Sequence, residues 1–302
     1  ARGHGTGRRR NRVRKSEGQD DDHSVDGVHV IHVHIPRLAE LRLRLRRQIE
    51  GGLDNDWVAF ERSGGGWGGA GTPHIKDRST SKIACDSWNR WGDDLTAMQT
   101  LGANAYRLSI EWSRLQRGPG QELDAPSVAR YRQMLTALRQ AGIRPVVTLS
   151  HFTLPRWAGD ADGSVTGWDS DKTAPQLADF AGKAGQAFGD LVDEWETLNE
   201  PNVLAFNGFL RGTFPPGRVD DQKGMAHALE QQLMAHALMV KALRASDRVD
   251  ADGDGKAVVV GLAHHVRIFE IRNRICVDGH VFGHLSVGKC CFTCDFENVH
   301  RG

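Results

Sequence analysis

The stretch Val192-Asp193-Glu194-Trp195-Glu196-Thr197-Leu198-Asn199-Glu200-Pro201-Asn202 decides how the rest of the chain is read. Its first seven residues mix apolar and acidic side chains in a short strand-like run. Asn199 and Glu200 arrive at the C-terminal end of that run, and Pro201 stops it. Proline lacks an N–H and biases its predecessor toward extended geometry, so Glu200 is predicted where a strand gives way to a loop. A carboxyl placed there can exchange a proton while the neighbouring amide holds a hydroxyl.

Outward from this stretch the pattern is strand, then helix, repeated. Residues 104–110, 145–151 and 257–265 are short apolar runs with strand composition. Between them, residues 92–102, 127–142, 175–188 and 225–245 carry helical periodicity, with Leu95, Met98 and Leu101 on one face of the first. Residues 41–47 alternate Leu and Arg with period two and add a first strand, making five. Strands alternating with helices of this length predict βαβ units and a parallel sheet. Polar residues gather where the strands end: Gln48, His151, Asn199 with Glu200, and His264 with His265. A parallel barrel collects such ends on one face, where barrel enzymes keep their chemistry. An open doubly wound sheet would gather them too, but no dinucleotide fingerprint is present.

Several stretches, in order, now carry a resemblance. Gln48-Ile49-Glu50-Gly51, Asn104-Ala105-Tyr106-Arg107-Leu108-Ser109-Ile110-Glu111-Trp112, His151-Phe152-Thr153-Leu154-Pro155 and Thr197-Leu198-Asn199-Glu200-Pro201 resemble the signatures of family 1 glycoside hydrolases, the β-glucosidase and β-galactosidase family. The resemblance runs from Gln48 to Phe269. It implies an α/β fold, a partial (β/α)8 TIM barrel comprising about the first five strand–helix units. It also implies hydrolysis of terminal β-D-glucosides or related β-glycosides with retention of configuration. By its motif Glu200 matches the acid/base. Gln48, His151 and Asn199 match positions that bind sugar hydroxyls, and Arg107 matches the arginine beneath the nucleophile, where a fixed positive charge holds a carboxylate ionised. Trp112, Trp157 and Trp168 could stack on sugar faces, but packing of the barrel is the ordinary role of such residues. No cofactor and no metal are implied. The expected partner is a β-glycoside or oligosaccharide.

The nucleophile is the gap. The family carries it in an Ile/Val-Thr-Glu-Asn-Gly motif on the seventh strand, and no such run occurs here. A chain with five of eight strands is therefore expected to fold poorly alone and to lack appreciable activity. The alternative reading is a non-catalytic carbohydrate-binding remnant or a fragment without function.

The ends differ from the middle. Of 302 residues, 39% are hydrophobic and 25% charged, an ordinary globular composition, and the net charge of +1 shows no bias toward nucleic acid or membrane. Residues 1–47, however, hold 12 Lys or Arg against 6 Asp or Glu. They read as a basic segment, disordered rather than a nucleic-acid arm because no periodic apolar face exists to fold, or out of frame because arginines do not fit a barrel interior. Residues 48–269 read as the partial barrel, and residues 270–302 as a Cys- and His-rich tail unlike the family. Without a signal peptide or membrane span in the sequence, a cytoplasmic location is expected. Three further motifs are set aside. Gly64-Gly65-Gly66-Trp67-Gly68-Gly69 lacks the ending of a phosphate loop, and the spacing of Cys276, Cys290, Cys291 and Cys294 fits no paired zinc site. Asp250-Ala251-Asp252-Gly253-Asp254-Gly255 starts like a calcium loop but has Gly261 where the bidentate Glu belongs, and is read as a polar helix-to-strand turn.

Overall fold

Strands β1 (Ala105–Ser109), β2 (Arg144–Ser150), β3 (Glu194–Asn199) and β4 (Val259–Ala263) pair in parallel, in that order. Each strand lies beside its successor, the winding of a barrel rather than of a doubly wound sheet whose order reverses. The computed structural model describes residues 49–63, 74–75, 79–264, 276–277 and 280–281. Gln48, the strand anticipated at 41–47, the glycine loop at 64–69, His265 and three of the four tail cysteines (Cys290, Cys291 and Cys294) lie outside the described residues. In the tail, β5 (Cys276–Val277) and β6 (His280–Val281) form a small antiparallel ribbon.

The connecting helices follow the periodicities: α2 (Ser87–Thr100), α4 (Ala125–Gln140), α5 (Thr173–Phe188) and α7 (Gln222–Ser246), with the short α3 (Trp112–Leu115) between β1 and α4. Their starts are fixed by local chemistry. Asp124 accepts from Ser127 N at 3.1 Å and Asp221 from Gly224 N at 2.8 Å, each satisfying an amide that the helix itself leaves unpaired.

Strand alternation separates two faces of the sheet. Leu108, Val147, Trp195 and Val260 stand in register on one face. The first three are buried, and Val260 packs partly buried against the same apolar cluster. That cluster includes Leu135 and Leu138 of α4, Phe180 and Phe188 of α5, and Met239 and Leu243 of α7. Small residues let α5 and α7 approach closely. A Cβ added at Gly185 of α5 would run into the Ser246 hydroxyl at the end of α7. The other face carries Ser109, Thr148, Glu196 and Gly261 in register, a polar row.

One helix was not anticipated and one local expectation is corrected. Helix α1 (Asp56–Arg62) begins a few residues after the glycine pair Gly51-Gly52. Asn55 supplies the cap by accepting from Val58 N at 3.2 Å, a signal hidden behind the glycine pair before it. Pro201 was expected to open a loop. It instead opens the short helix α6 (Pro201–Ala205), because proline's fixed φ suits the first helical position. A π-helical turn, Phe206–Leu210, continues it.

Candidate active site

The parallel register brings the C-terminal ends of all four strands to one edge of the sheet. Ser109 ends β1, His151 follows β2, Asn199 and Glu200 end β3, and His264 follows β4. Asn199 is buried, His151 and Glu200 are half-buried, and His264 is exposed. The sequence-predicted residues His151, Asn199, Glu200 and Arg107 are thus gathered on neighbouring strands.

Glu200 occupies a strained backbone. Its φ of +47° and ψ of 60° lie in the left-handed region, which costs a non-glycine residue energy. Tertiary contact overrides the extended geometry expected of a residue before proline: the Glu200 N–H donates to Ala263 O at 2.8 Å and holds the turn. α7 supports the same turn from behind, where buried Gln232 donates through Nε2 to Pro201 O at 3.2 Å. Phe152, directly after His151, shows the same left-handed strain with φ of +72°. Its carbonyl accepts from Trp57 Nε1 at 2.8 Å, and its ring joins Trp57, Phe60, Val203 and Phe214 in a second apolar cluster beside the strand ends. Strain at two neighbouring strand ends, each held by tertiary contacts, is the arrangement expected where side chains are aimed rather than merely packed.

His151 is oriented through Nδ1, which lies 2.9 Å from Ser109 Oγ. Arg107 reaches further across the polar face. It donates from Nε to Thr148 Oγ1 at 2.9 Å and from Nη2 to Asn199 Oδ1 at 2.8 Å, and it forms an ion pair with Glu196. Thr148 Oγ1 donates onward to Glu196 Oε2 at 3.1 Å. Sequence reasoning missed Glu196, Thr148 and Ser109 as members of this site. The available signal was an acidic residue at an inward position two residues after Glu194, between a tryptophan and a threonine.

A second polar network, also missed, stands beneath β1 and the segment after Gln48. Glu50 accepts from Tyr131 OH at 2.6 Å and from Arg114 Nε at 3.1 Å, while Tyr131 OH accepts from Glu111 N at 3.0 Å. Burial pushes the Glu50 carboxyl up to about 7, against the opposing pull of Tyr131 and Arg114. Burial beside Glu50 likewise holds the Tyr131 phenol well above its ordinary value. Glu111 ties this network to the strand-end loops by accepting from Asn55 Nδ2 at 3.3 Å and Thr153 Oγ1 at 3.0 Å.

The tryptophans considered for sugar stacking have structural roles. Trp112 and Trp168 are buried in the main cluster, and Trp112 stacks on Phe180 with ring centroids 5.6 Å apart. The Asp250 turn joins α7 to β4 as expected. Its two carboxylate oxygens accept from Gly253 N and Gly255 N at 2.7 and 2.8 Å. Among the described residues, Asp193, Asp250 and Asp252 bring oxygens within 4.8 Å of one another. Asp193 is engaged by Ala251 N at 2.7 Å, so the cluster is accounted for by the turn itself.

Comparison with known proteins agrees with this geometry. Over 213 residues the chain is 33% identical to β-glucosidase 4 of Oryza sativa, covering 70% of this chain and 42% of that one. It is 36% identical over 188 residues to β-glucosidase A of Thermotoga maritima, covering 62% and 40% respectively. The solved family 1 β-glucosidase of Thermotoga maritima superposes with a TM-score of 0.62 at 30% identity, over 72% of this chain and 46% of that one. The chain therefore spans less than half the length of these relatives, and its sheet is part of their (β/α)8 barrel. The model of the family described as glycosyl hydrolase family 1 matches residues 47–270, and the chain belongs to that family.

Proposed function

We propose that this chain carries the acid/base half of a retaining β-glycosidase acting on terminal β-D-glucosides or related β-glycosides, including oligosaccharides. Glu200 is the acid/base, Gln48, His151 and Asn199 bind hydroxyls of the sugar being released, and Arg107 supports the nucleophile. The working unit is residues 48–269, flanked by the unlike segments 1–47 and 270–302, in a cytoplasmic setting. Among the described residues no helix is long and apolar enough to cross a membrane. The observation that carries the reading is the pair Asn199-Glu200 at the end of β3, on one sheet edge with His151, in a family 1 chain.

The chemistry assigns each group a task. A retaining glycosidase sets two carboxyl groups roughly 5–5.5 Å apart on opposite sides of the bond. One attacks the anomeric carbon, while the other gives its proton to the leaving oxygen and later takes one from water. Glu200 stands at a strand end, where it meets a substrate lying across the barrel mouth. The nucleophile of the family motif is not in this sequence. Glu200 alone can protonate a leaving group, but it cannot form the covalent intermediate that divides one hard step into two. The chain by itself is therefore expected to be inactive on an aryl β-glucoside, and to gain turnover when a nucleophile-bearing half-barrel of the family is supplied in trans. In that reconstituted state Glu200→Gln abolishes turnover. Hydrolysis by the chain alone that survives Glu200→Gln would overturn the assignment.

A further inference from the structure

Glu196 belongs to none of the motif positions that carry the family resemblance, yet it sits at the centre of the polar face. Residues 196 and 199 differ by an odd number, so a regular strand would point them to opposite faces. Here the β3–β4 register shifts between them. Glu196 stands opposite Gly261 and Asn199 opposite Ala263, so three steps along β3 match two along β4. Such a bulge re-aims the side chains beyond it. Its result is that Glu196 and Asn199 both meet the guanidinium of Arg107, Glu196 as its ion partner and Asn199 through Oδ1 at 2.8 Å. Thr148 closes the figure, accepting from Arg107 Nε at 2.9 Å and donating to Glu196 Oε2 at 3.1 Å. The Arg107 and Glu196 side chains are only 14% and 22% exposed, so the pairing is sheltered from solvent.

We propose that Glu196 is a positioning residue. It fixes the plane of Arg107 so that the guanidinium holds Asn199 by its oxygen and turns the amide nitrogen into the donor end. A guanidinium presents its five N–H groups in a rigid fork, so a carboxylate on one part of the fork dictates where the rest can point. An asparagine amide offers an acceptor and a donor on opposite sides, and committing the oxygen decides which chemistry the other side offers a sugar hydroxyl. This inference rests on the reading of Asn199 as a hydroxyl-binding residue, and it assigns the control of that residue to a carboxylate from the same strand.

The test is a double-mutant cycle on the full 302-residue chain, reading affinity for phenyl β-D-glucoside by calorimetry. Arg107 guanidinium and Asn199 amide signals, followed by NMR, form an independent arm. Glu196→Gln is expected to weaken binding about tenfold in the parent background and about twofold or less when Asn199 is already alanine, because coupled residues do not add. A merely structural ion pair would lower stability and weaken binding equally in both backgrounds, and equal losses would overturn the proposal. In the NMR arm Glu196→Gln releases the restrained Arg107 signals and shifts the Asn199 amide, and unmoved signals would overturn the proposal. If Glu196→Gln does not fold, Thr148→Val removes the hydroxyl shared by Arg107 and Glu196 with little change of shape. It should move the same signals in the same direction, and unmoved signals sink the idea. If the parent does not bind the glucoside at all, the sugar-site reading falls, and the NMR arm still decides whether Glu196 sets the Asn199 amide.

Discussion

Strands β3 and β4 lie side by side and reverse the usual relation between composition and burial. β3 reads Glu-Trp-Glu-Thr-Leu-Asn, polar at four of six positions, yet its last three residues and Trp195 are buried. β4 reads Val-Val-Gly-Leu-Ala, apolar throughout, yet none of its residues is buried and Val259 is 41% exposed. Place in the sheet accounts for the difference. β3 is paired on both sides, by β2 and β4, whereas β4 ends the strand order of the described sheet. A polar strand can occupy the covered place because each of its polar side chains has a partner. Thr197 Oγ1 meets His236 Nδ1 at 2.7 Å, Trp195 Nε1 donates to Asp247 Oδ2 at 2.9 Å, and Glu196 and Asn199 meet Arg107. Hydropathy locates a strand, and partners and neighbours determine what it can bury.

The sharpest way to break this comparison is to shorten aligned neighbours on the helix-facing side. Trp195→Ala removes a ring 1% exposed and leaves Asp247 without its indole donor. A loss of about 3–5 kcal/mol is expected. Val260→Ala, directly beside it in register, is expected to cost about 1 kcal/mol because its site is already half open. Urea unfolding with unchanged slope would measure both. Equal losses would mean that position in the sheet does not govern burial energy here.

Much of this arrangement was legible from the chain. Strands β1, β2 and β4 and helices α2, α4, α5 and α7 announce themselves through apolar composition or periodicity and their bounding glycines and caps, signals that local physics enforces. The Asn199-Glu200 pair is legible because proline marks the end of its strand. Glu196 was not, because its role depends on a register shift that no alternation pattern records. The Glu50–Tyr131 contact spans 81 positions of sequence, so no local window contains it. Gln48 was named as a binding residue and lies outside the described residues.

Glu50 extends the comparison to a polar group whose partners do not fully offset burial. Its carboxyl ionises near 4.5 when free in water and is pushed up to about 7 in the fold. Between those values the folded chain keeps a proton that the unfolded chain has lost. The stability belonging to the neutral acid is thus complete below about 4.5 and is lost as the pH rises through 7. The shift corresponds to about 3 kcal/mol at roughly 1.4 kcal/mol per unit. Glu50→Gln cannot ionise, so the stability of the parent relative to this variant should fall by about that amount between pH 4 and pH 8. Parallel pH profiles of the thermal midpoints would show that Tyr131 and Arg114 compensate the buried charge completely.

A gentler probe exchanges threonine and valine, nearly equal in shape, in the covered strand. Thr197→Val deletes the hydroxyl that meets His236 Nδ1 at 2.7 Å and Gly261 O at 3.3 Å, in a residue with 0% exposure. Burial holds the His236 imidazole below its ordinary value, so the neutral ring is the form that loses a partner. The variant should lose about 1–2 kcal/mol, the cost of leaving a buried polar group unmatched. A stabilised variant would instead favour hydropathy over partnership as the rule for β3.

The smallest effect is expected from the reverse exchange in the uncovered strand. Val259→Thr keeps a β-branched side chain, and with it the restricted χ1 and the preference for extended backbone. The backbone contribution is unaffected, since Val259 N donates to Asp193 O at 2.7 Å whichever side chain the residue carries. The new hydroxyl would stand at a position 41% exposed, where water can satisfy it, and only part of one methyl's burial is given up. The net change should stay within about 0.5 kcal/mol, the range of ordinary surface substitutions. If hydropathy alone set strand energetics, Val259→Thr would destabilise and Thr197→Val would stabilise by similar amounts. If partners and sheet position set them, Thr197→Val is the costly exchange and Val259→Thr is nearly silent. Unfolding curves of the two single variants against the parent distinguish the cases by the order of their midpoints.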